Sequence, residues 1–330
     1  MRKETDAGID VSKDRLDVAV CRDGVREETA WFANDAPGHR KLVGWLTKRG
    51  RAARVVLEST GTYSFDLALA LHRARGITVM VANPRAVKQF AGALLQRSKT
   101  DVTAAAALRE YARRMPFVAW QPPAPEVLEL RALARRIAAL VVERTRERNR
   151  LQAVQASAEA SALVVNDIEV NIRHLERRVD RLTAQAVTLL RQHSELARGF
   201  ARLTSVRGIA THSAVQLLPE LLVLPADMTV RQWVAHAGLD PRAYQSGTSV
   251  AKPARISKLG NAHLRRALFM PALVAVQHEA HVRAFFDKLV ARGKKPLQAY
   301  VAVMRKLLHA IYGMLRTDTD FIPEKFHPAG

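Results

Sequence analysis

The sequence has little cysteine, and it has no apolar stretch long enough to cross a membrane. Cys21 is the only cysteine in 330 residues, so an internal disulfide is excluded and a reducing compartment is expected. No run of about 18 or more apolar residues occurs, and the N-terminal residues lack the apolar core of a signal peptide. We therefore expect a cytoplasmic protein with no membrane partner, in which Cys21 fills part of a core.

Signatures of several other classes of protein are absent. The sequence contains no Walker phosphate loop and no Gly-x-Gly-x-x-Gly fingerprint. No histidine stands at a convincing metal-ligand spacing from another His, Cys or acid. Aromatic residues make up only 6% of the chain, so any nucleic-acid binding should depend on charge and shape more than on base stacking.

Acidic residues are scarce relative to basic ones. The chain has 52 Lys and Arg against 31 Asp and Glu, a formal net charge of +21 and a pI near 10.9. The excess of basic residues is greatest in residues 201–330. Such a charge points first to a polyanionic partner, with this last segment as the strongest candidate for contacting phosphates. Solubility alone is the alternative, although far less charge would provide it.

The first third of the chain alternates between strand and helix patterns. Residues 6–21 predict two short strands around a polar turn, and apolar β-branched runs at 55–58 and 77–82 predict two more. Helical spacing is found in three further segments: 37–49, 62–75 and 85–114. Such alternation favours an α/β layered domain, and the proline-rich segment 115–126 is its natural boundary.

Residues 126–200 are almost free of glycine and proline and carry a heptad pattern. Apolar residues follow one another in steps of four and three, as the seam of a coiled coil requires: Ile168, Ile172, Leu175, Val179, Leu182, Ala186 and Leu189, with Leu130, Leu133, Ile137 and Leu140 in an earlier stretch. Two long antiparallel helices, an intermolecular coiled coil and an ordinary helical bundle all fit. We divide the chain into 1–125, 126–200 and a mostly helical 201–330.

Three acids stand at conspicuous positions. Asp10 lies in the first predicted strand, Glu58 ends a later strand, and Asp101 opens a helix. Carboxylates are unfavourable within apolar strands unless they are paired or bind a metal. Two divalent ions can stabilise the attacking and leaving oxygens when a phosphodiester is cleaved, and Mg²⁺ prefers carboxylate and water oxygens. The pattern alone fits a magnesium site as well as it fits helix caps and surface acids.

Several segments together carry a family resemblance that spans residues 6 to about 315. They are GIDVSKDRLDVAV, LESTGTY, ANPRAVKQFA with SKTD, AGLDPRAYQSGTSV and RISKLGNAHLRRAL. The chain resembles the DEDD-type transposases of the bridge-RNA-guided insertion-sequence family, which are related to Piv-type DNA invertases. The resemblance implies an α/β RNase H-like (RuvC-like) domain, a long helical coiled-coil linker and a mostly α-helical C-terminal transposase domain. It also implies recombination between the ends of an insertion sequence and a target.

The family's acidic set is Asp, Glu, Asp, Asp, and its first three members match Asp10, Glu58 and Asp101. The fourth should follow Asp101 by three residues on the same helix face, but this position is Ala104. Alanine cannot bind a metal, and Glu110 lies too far along the helix to substitute. The copy has either diverged naturally or had its aspartate deliberately replaced. We expect the chain to bind DNA and RNA but to be catalytically impaired.

The resemblance also implies a serine nucleophile in the second half of the chain. Members of the family use a serine of a Ser-Gly motif, which matches Ser246 in YQSGTS, with Ser249 in reserve. A serine that attacks a phosphodiester forms a covalent phosphoserine and conserves bond energy for rejoining. A plain turn serine is the alternative. Basic residues around it suit phosphate contact: Arg242, Lys252, Arg255, Lys258, Arg265 and Arg266.

These features predict a DNA transposase or recombinase in which Mg²⁺ is bound by Asp10, Glu58 and Asp101 and the nucleophile is Ser246. The expected partners are double-stranded donor and target DNA and, by resemblance alone, a structured guide (bridge) RNA. We expect a nucleoid-associated homo-oligomer, a dimer pairing into a tetramer, because recombination exchanges two duplexes at once. A RuvC-like Holliday-junction nuclease, which forms no covalent adduct, is one alternative. A non-catalytic nucleic-acid-binding protein is another, and Ala104 keeps it open.

Overall fold

The structure is a computed structural model that describes residues 4–59, 61–94, 100–246 and 250–327, with the backbone alone described at 62, 243–246 and 250–254. The chain divides into two compact units, Met1–Pro122 and Pro123–Gly330. Within the described residues, no helix is both long enough and apolar enough to cross a membrane.

The first unit is built on a five-stranded mixed sheet. Its strands are β1 (Glu4–Val11), β2 (Arg15–Arg22), β3 (Arg26–Ala33), β4 (Ala52–Glu58) and β5 (Ile77–Ala82). They lie in the order β3-β2-β1-β4-β5. The first three form an antiparallel meander, whereas β4 pairs parallel with β1 and β5 pairs parallel with β4. The helices of this unit are α1 (Ala36–Leu46), α2 (Thr62–Arg73), α3 (Pro84–Ala93) and α4 (Asp101–Arg114), with a 3₁₀ turn at Lys48–Gly50.

Alternation along the strands gives the sheet two different buried faces. Odd-numbered residues of β1, such as Ile9, pack with α1 and α2 in one apolar core, which includes Leu42 and Leu67. On the opposite face, Val56 of β4 packs with α3 and α4 in a smaller core around Leu108. The even-numbered residues Asp6, Gly8 and Asp10 belong to this second face. The predicted acid Asp10 therefore shares a face with α4.

Helix α4 lies directly on β1 because Gly8 has no side chain. A Cβ atom on Gly8 would stand 2.2 Å from both Ala105 O and Arg109 N. Near the other end of the helix, Arg54 donates to Ala112 O and forms an ion pair with Asp6, Nε to Oδ1, at 3.4 Å. The C-terminal end of α4 thus lies beside the start of β1, and its N-terminal end lies beside Asp10. Helix and strand run in opposite directions.

The second unit begins with a long antiparallel helical hairpin. Helices α5 (Pro125–Gln155) and α6 (Ala162–Gln192) pack against each other along their length. The predicted seam is buried at Ile168, Ile172, Leu175, Val179, Ala186 and Leu189. Of the arrangements that the heptad pattern left open, the structure shows the two antiparallel helices of one chain. The inner half of the hairpin joins one apolar core that extends to Phe326.

The rest of the second unit is helical apart from one β-hairpin. The hairpin consists of β6 (Pro241–Ser246) and β7 (Val250–Ile256), which pair antiparallel. The helices are α7 (Ser194–Thr204), α8 (Thr211–Leu222), α9 (Val230–His236), α10 (Ala262–Ala267), α11 (Phe269–His278), α12 (Ala280–Ala291), α13 (Pro296–Thr317) and α14 (Pro323–Phe326).

Most predicted elements of the first unit are confirmed, with one omission. The strands within 6–21, at 55–58 and at 77–82 are present, and Cys21 is buried as predicted. Strand β3 was not predicted, since its residues REETAWFA are polar at the start and none of them is fully buried. The segment 85–114 contains two helices, and residues 95–99 between them lie outside the described part of the chain.

Candidate active site

Asp10 and Glu58 lie side by side at the ends of neighbouring parallel strands. Ile9 of β1 is paired with Leu57 of β4, so the residues that follow them, Asp10 and Glu58, stand one strand spacing of about 4.8 Å apart. Both are half-buried, and each interacts with neighbouring groups. The parallel pairing of β1 with β4 brings together two of the predicted carboxylates, although they are 48 residues apart in sequence.

The start of α4 lies at the same level of the sheet as Asp10. Asp10 is two residues beyond Gly8, about 6.6 Å along the strand, which equals roughly four helical residues. Counting four residues back from Ala105 and Leu108, which flank Gly8, gives Asp101 and Ala104. By this count, Asp101 and Ala104, at which the sequence analysis expects the third and fourth acids, are the helical positions of this face nearest to Asp10.

Helix α4 is held at this point by a reciprocal cap. The Thr100 hydroxyl accepts from Thr103 N at 3.2 Å, and the Thr103 hydroxyl accepts from Thr100 N at 2.8 Å. Asp101 is exposed in the first turn and Ala104 is half-buried. A carboxylate in the first turn also interacts favourably with the helix dipole, so Asp101 has a structural role available besides metal binding.

Within the described part of the chain, these carboxylates do not form a complete metal site. Among the residues that the structure describes, no three His, Cys, Asp or Glu side chains stand close enough together to hold a metal ion. The chemistry of the donors fits Mg²⁺, which prefers carboxylate oxygens. Asp10 and Glu58 could supply two ligands, and Asp101 is the third candidate. The alanine side chain at position 104 has no oxygen, so it cannot add a further ligand at the start of α4.

Asp17 is a further carboxylate on this face that the sequence analysis missed. It lies directly opposite Asp10 on β2 and is only 4% exposed. Arg15 holds it through two nitrogens, with Nη2 at 2.7 Å from Oδ1 and Nε at 3.0 Å from Oδ2. The guanidinium of Arg15 stands 5.2 Å from the centre of the Trp31 ring. An acid inside the apolar run LDVAV was the available signal, since the argument used for Asp10 applies equally there.

Arg15 links this carboxylate row to α4 electrostatically. The hydrogen bond to Asp17 is the main cause that raises the pKa of the Arg15 guanidinium, and the negative charge of Asp101 adds to it. A fixed positive charge thus stands beside the acidic edge. It offsets the repulsion between Asp17 and Asp10, which would otherwise face each other as like charges.

The predicted nucleophile Ser246 is the last residue of β6. Its backbone pairs with Val250 of β7, so it closes the described part of the hairpin. The reserve candidate Ser249 and the intervening Gly247 lie outside the described residues. Lys252 lies in β7, in the part of that strand for which only the backbone is described.

The predicted phosphate-binding residues differ in what their side chains do. Arg242 and Arg255 are exposed and directly opposite each other on the β6–β7 hairpin. Within the described structure neither has an ion-pair partner, so two like charges face each other across the strands, an arrangement that a bound anion would stabilise. Lys258 and Arg266 are also exposed. Arg265 is half-buried, and its Nη1 donates to Ala237 O at 2.9 Å.

Glu220 anchors the segment that follows this hairpin. It is 1% exposed, and its carboxylate accepts from Arg135 Nε at 2.7 Å, from Arg131 Nη2 at 3.1 Å and from Asn261 Nδ2 at 2.6 Å. Although burial opposes ionisation, the hydrogen bonds from Arg135, Arg131 and Asn261 lower the pKa of Glu220 to about 2. Sequence reasoning missed this network because its members are far apart in the chain.

Asn261 connects the buried Glu220 carboxylate to the start of the basic helix α10. Its Oδ1 accepts from His263 N at 2.9 Å and from Leu264 N at 3.1 Å, which caps the helix. Its backbone N donates to His236 O at 2.7 Å. Gly260 before it has a φ of +121°, and a Cβ there would stand 2.2 Å from His236 O. The segment Gly260–Asn261 therefore has a fixed conformation that sets the position of Arg265 and Arg266.

Comparison with known proteins connects both units to one group of enzymes. Residues 7–157 match the family model for the DEDD transposase of IS110, described as a transposase. Residues 200–287 match the model described as the transposase IS116/IS110/IS902 family. The two matches together span more than half of the chain and include every predicted site residue. The chain belongs to the IS110 family of transposases.

Relatives of this IS110-family transposase extend over its whole length. The pilin gene-inverting protein of Moraxella bovis is 29% identical over 332 residues, which cover 96% of this chain and 98% of the relative. The corresponding protein of Moraxella lacunata matches with the same identity and coverage. An uncharacterized 43.6 kDa protein of insertion element IS110 from Streptomyces coelicolor is 31% identical over 128 residues, 39% of this chain and 31% of that protein.

Membership identifies the protein as a DNA transposase or recombinase, an activity that requires DNA binding. The DEDD designation is typical of enzymes that use a divalent metal. The matched range 7–157 includes Asp10, Glu58, Asp101 and Ala104, the positions at which the sequence analysis expects the four acids.

Proposed function

We propose that this IS110-family transposase cleaves and rejoins DNA through a covalent phosphoserine at Ser246, with Mg²⁺ held by Asp10, Glu58 and Asp101. The observation that carries the proposal is the register of β1, β4 and α4. It gathers the backbones of Asp10, Glu58, Asp101 and Ala104 at one end of the sheet. The Arg242–Arg255 pair supports DNA contact beside Ser246, because two facing cations favour a phosphate between or above them.

The sheet supports an RNase H-like (RuvC-like) fold for residues 1–125. An antiparallel meander followed by two strands parallel to β1, in the order β3-β2-β1-β4-β5, presents the ends of β1 and β4 together. Residues 126–200 serve in this proposal as a coiled-coil linker, and residues 201–330 as the transposase domain with the nucleophile. Protomers assemble as dimers that pair into a tetramer on the DNA of the bacterial nucleoid.

Each strand transfer in this proposal exchanges one phosphodiester for another. The Ser246 oxygen bonds to phosphorus while the bond from phosphorus to a deoxyribose oxygen breaks, the serine proton is released, and the deoxyribose oxygen leaves as a hydroxyl. The hydroxyl of a second strand end then attacks the phosphoserine, which restores the serine and joins the DNA. A bound divalent ion supplies charge stabilisation for the attacking and leaving oxygens. Asp10, Glu58 and Asp101 would hold it through carboxylate oxygens.

A structured guide RNA is part of the proposal, and so is inversion of a DNA segment. The net charge of +21 is large enough to bind a second polyanion besides DNA.

Two relatives that match almost end to end are named as pilin gene-inverting proteins. Inversion and transposition both require that strands be cut and rejoined, so the same chemistry serves either outcome.

The experiment is a search for a protein–DNA adduct that survives denaturation. The chain and its Ala104→Asp variant are incubated with Mg²⁺, the RNA transcribed from the element's flank, and labelled donor and target DNA. We expect the adduct only, or far more strongly, with Ala104→Asp, because that variant restores the fourth carboxylate. Adding Ser246→Ala to Ala104→Asp should abolish the adduct and leave DNA binding intact, whereas adding Ser249→Ala should not.

The outcomes separate the alternatives. An adduct of equal yield from both chains would show that three acids suffice and that Ala104 does not impair catalysis. Cleavage without an adduct would identify a hydrolytic nuclease. Tight, metal-independent binding with neither cleavage nor adduct, even in Ala104→Asp, would contradict the proposed chemistry and favour a binding protein.

A further inference from the structure

A groove of about 880 Å³ runs between α1 and α2 on the first unit. Its floor is apolar, with Val43, Leu69 and Ala70. The volume lies within the range of about 300–1,000 Å³ that is common for ligand sites. The groove is on the face of the sheet opposite α4, and no residue of the proposed chemistry lines it.

The rim of the groove is cationic. Lys13, Arg40 and Arg73 line it, are exposed, and have no ion-pair partner in the described parts of the chain. Two acids also line the groove. Asp35 caps α1, where its Oδ1 accepts from Gly38 N at 2.7 Å. With Asp66, the rim has three cations against two carboxylates.

One side chain joins this groove to the end of β1 and to the start of α2. Asn34 donates from Nδ2 to Ser12 O at 2.8 Å and to Tyr63 O at 3.1 Å. Ser12 follows β1 two residues after Asp10, and Tyr63 lies in the first turn of α2, five residues after Glu58. The Oδ1 of Asn34 accepts from His39 Nε2 at 2.8 Å. Burial lowers the pKa of His39 against the pull of Asp35 and Asp66, so His39 supports Asn34 as a neutral donor.

Tyr63 adds an aromatic surface to the cationic rim. It lines the groove and is 49% exposed, in a chain with only 5 tyrosines. Phosphate-binding cations combined with an exposed ring are the two elements by which proteins bind single strands, because every unpaired base offers a face for stacking. A duplex keeps those faces stacked inside and cannot offer them to Tyr63.

We propose that the α1–α2 groove binds a single-stranded stretch of DNA beside the strand held at the Asp10–Glu58 edge. Lys13, Arg40 and Arg73 contact its phosphates, and Tyr63 stacks on a base. Asn34 fixes the groove relative to the end of β1 and the start of α2, so a DNA strand separated near the cleavage point could lie in it. The inference rests on the proposed function only in one respect: DNA cleavage and rejoining would be the source of the single strand. The binding site itself is tested without metal, RNA or cleavage.

The test measures binding of the full chain to a labelled oligothymidylate and to a hairpin duplex of matched length, without divalent ions, over a series of salt concentrations. For the single strand, log K should fall less steeply with log salt in Arg40→Gln/Arg73→Gln than in the parent chain. The magnitude of the slope should decrease by about 0.7 for each phosphate that the variant no longer neutralises. Tyr63→Ala should weaken single-strand binding about ten-fold. Tyr63→Phe should restore it, since the ring alone stacks.

A matched control removes the same charge elsewhere. Lys48 and Arg49 follow α1, are exposed and do not line the groove, so Lys48→Gln/Arg49→Gln should leave the single-strand slope unchanged. Equal losses of single-strand and duplex binding in the groove variants, or an equal effect of the control pair, would overturn the proposal. So would a loss confined to an oligouridylate RNA probe. Failure of the serine adduct with intact single-strand binding would refute the chemistry and leave the groove assigned.

Discussion

Asp10 and Asp17 are directly opposed on the antiparallel strands β1 and β2. Asp17 is almost completely buried, and Arg15 is the cation that the structure places on it. We predict that Arg15→Ala destabilises the first unit, because it leaves a buried carboxylate facing a second one. The urea midpoint of unfolding measures this. The double variant Arg15→Ala/Asp17→Asn should recover most of the loss, and a simple addition of the two single effects would contradict the pairing.

Gly8 sets how closely α4 approaches the sheet. Gly8→Ala should lower the free energy of unfolding by about 3 kcal/mol, the upper end of the usual cost of overpacking, since its Cβ would overlap backbone atoms that cannot rotate away. The control is Gly44→Ala in α1, where a Cβ meets no atom within 4 Å. That change should stabilise the protein by about 0.5–1 kcal/mol through helix propensity. Chemical denaturation of both variants measures the contrast, and similar stabilities would refute the close approach of helix and strand.

Because the pKa of Glu220 is low in the folded protein, the free energy of unfolding should decrease as the pH is lowered into the acid range. Its pKa is about 2 in the folded protein against an ordinary value near 4.3. The stabilisation is therefore complete above the unfolded value and is lost as pH falls through the folded value. We expect Glu220 to contribute about 2–3 kcal/mol at neutral pH.

Glu220→Gln provides the measurement. The difference in free energy of unfolding between Glu220→Gln and the parent chain should be largest at neutral pH and shrink steadily below about pH 4. A difference that does not change with pH would show that the carboxylate titrates normally and that the network acts through packing alone.

Arg265 and Arg266 are neighbours in sequence with different surroundings, since Arg265 is half-buried and Arg266 is exposed. Arg266→Gln should reduce the salt dependence of duplex binding by about 0.9 in the slope of log K against log salt and leave stability unchanged. Arg265→Gln should cost about 1 kcal/mol of stability, because it removes the hydrogen bond to Ala237 O. Binding titrations and urea unfolding of the same two variants check both halves. Equal effects on the slope would show that Arg265 also contacts phosphate.

The candidate site divides into a part that sequence can predict and a part that it cannot. Asp10 and Glu58 stand out because a carboxylate in an apolar strand needs a reason, and the family motif names the same residues. Asp17 carries the same signal but is outside the acidic set of the family, so the motif did not single it out. Glu220, Arg131 and Asn261 give no local signal, because their interaction depends on how distant segments of the chain pack.

Secondary structure follows the same division. The heptad in α6 predicts a buried seam from spacing alone, and the seam is buried. The partner helix depends on the length of the turn at 156–161 and on tertiary packing, so the pattern could not choose between one chain and two. The residues of β3 do not alternate between polar and apolar, so its pairing with β2 could not be predicted from its own sequence.

The backbone contact between Gly8 and α4 also bears on how such a chain can evolve. Main-chain atoms bring helix and strand together at Gly8, and the Thr100–Thr103 cap fixes the start of the helix. Neither feature involves the side chain at position 104. Exchanging alanine and aspartate at that position therefore leaves the framework in place. Under the proposed function, we therefore expect loss of the fourth acid to be reversible: the chain should stay folded, and a single substitution should restore a carboxylate at the start of α4.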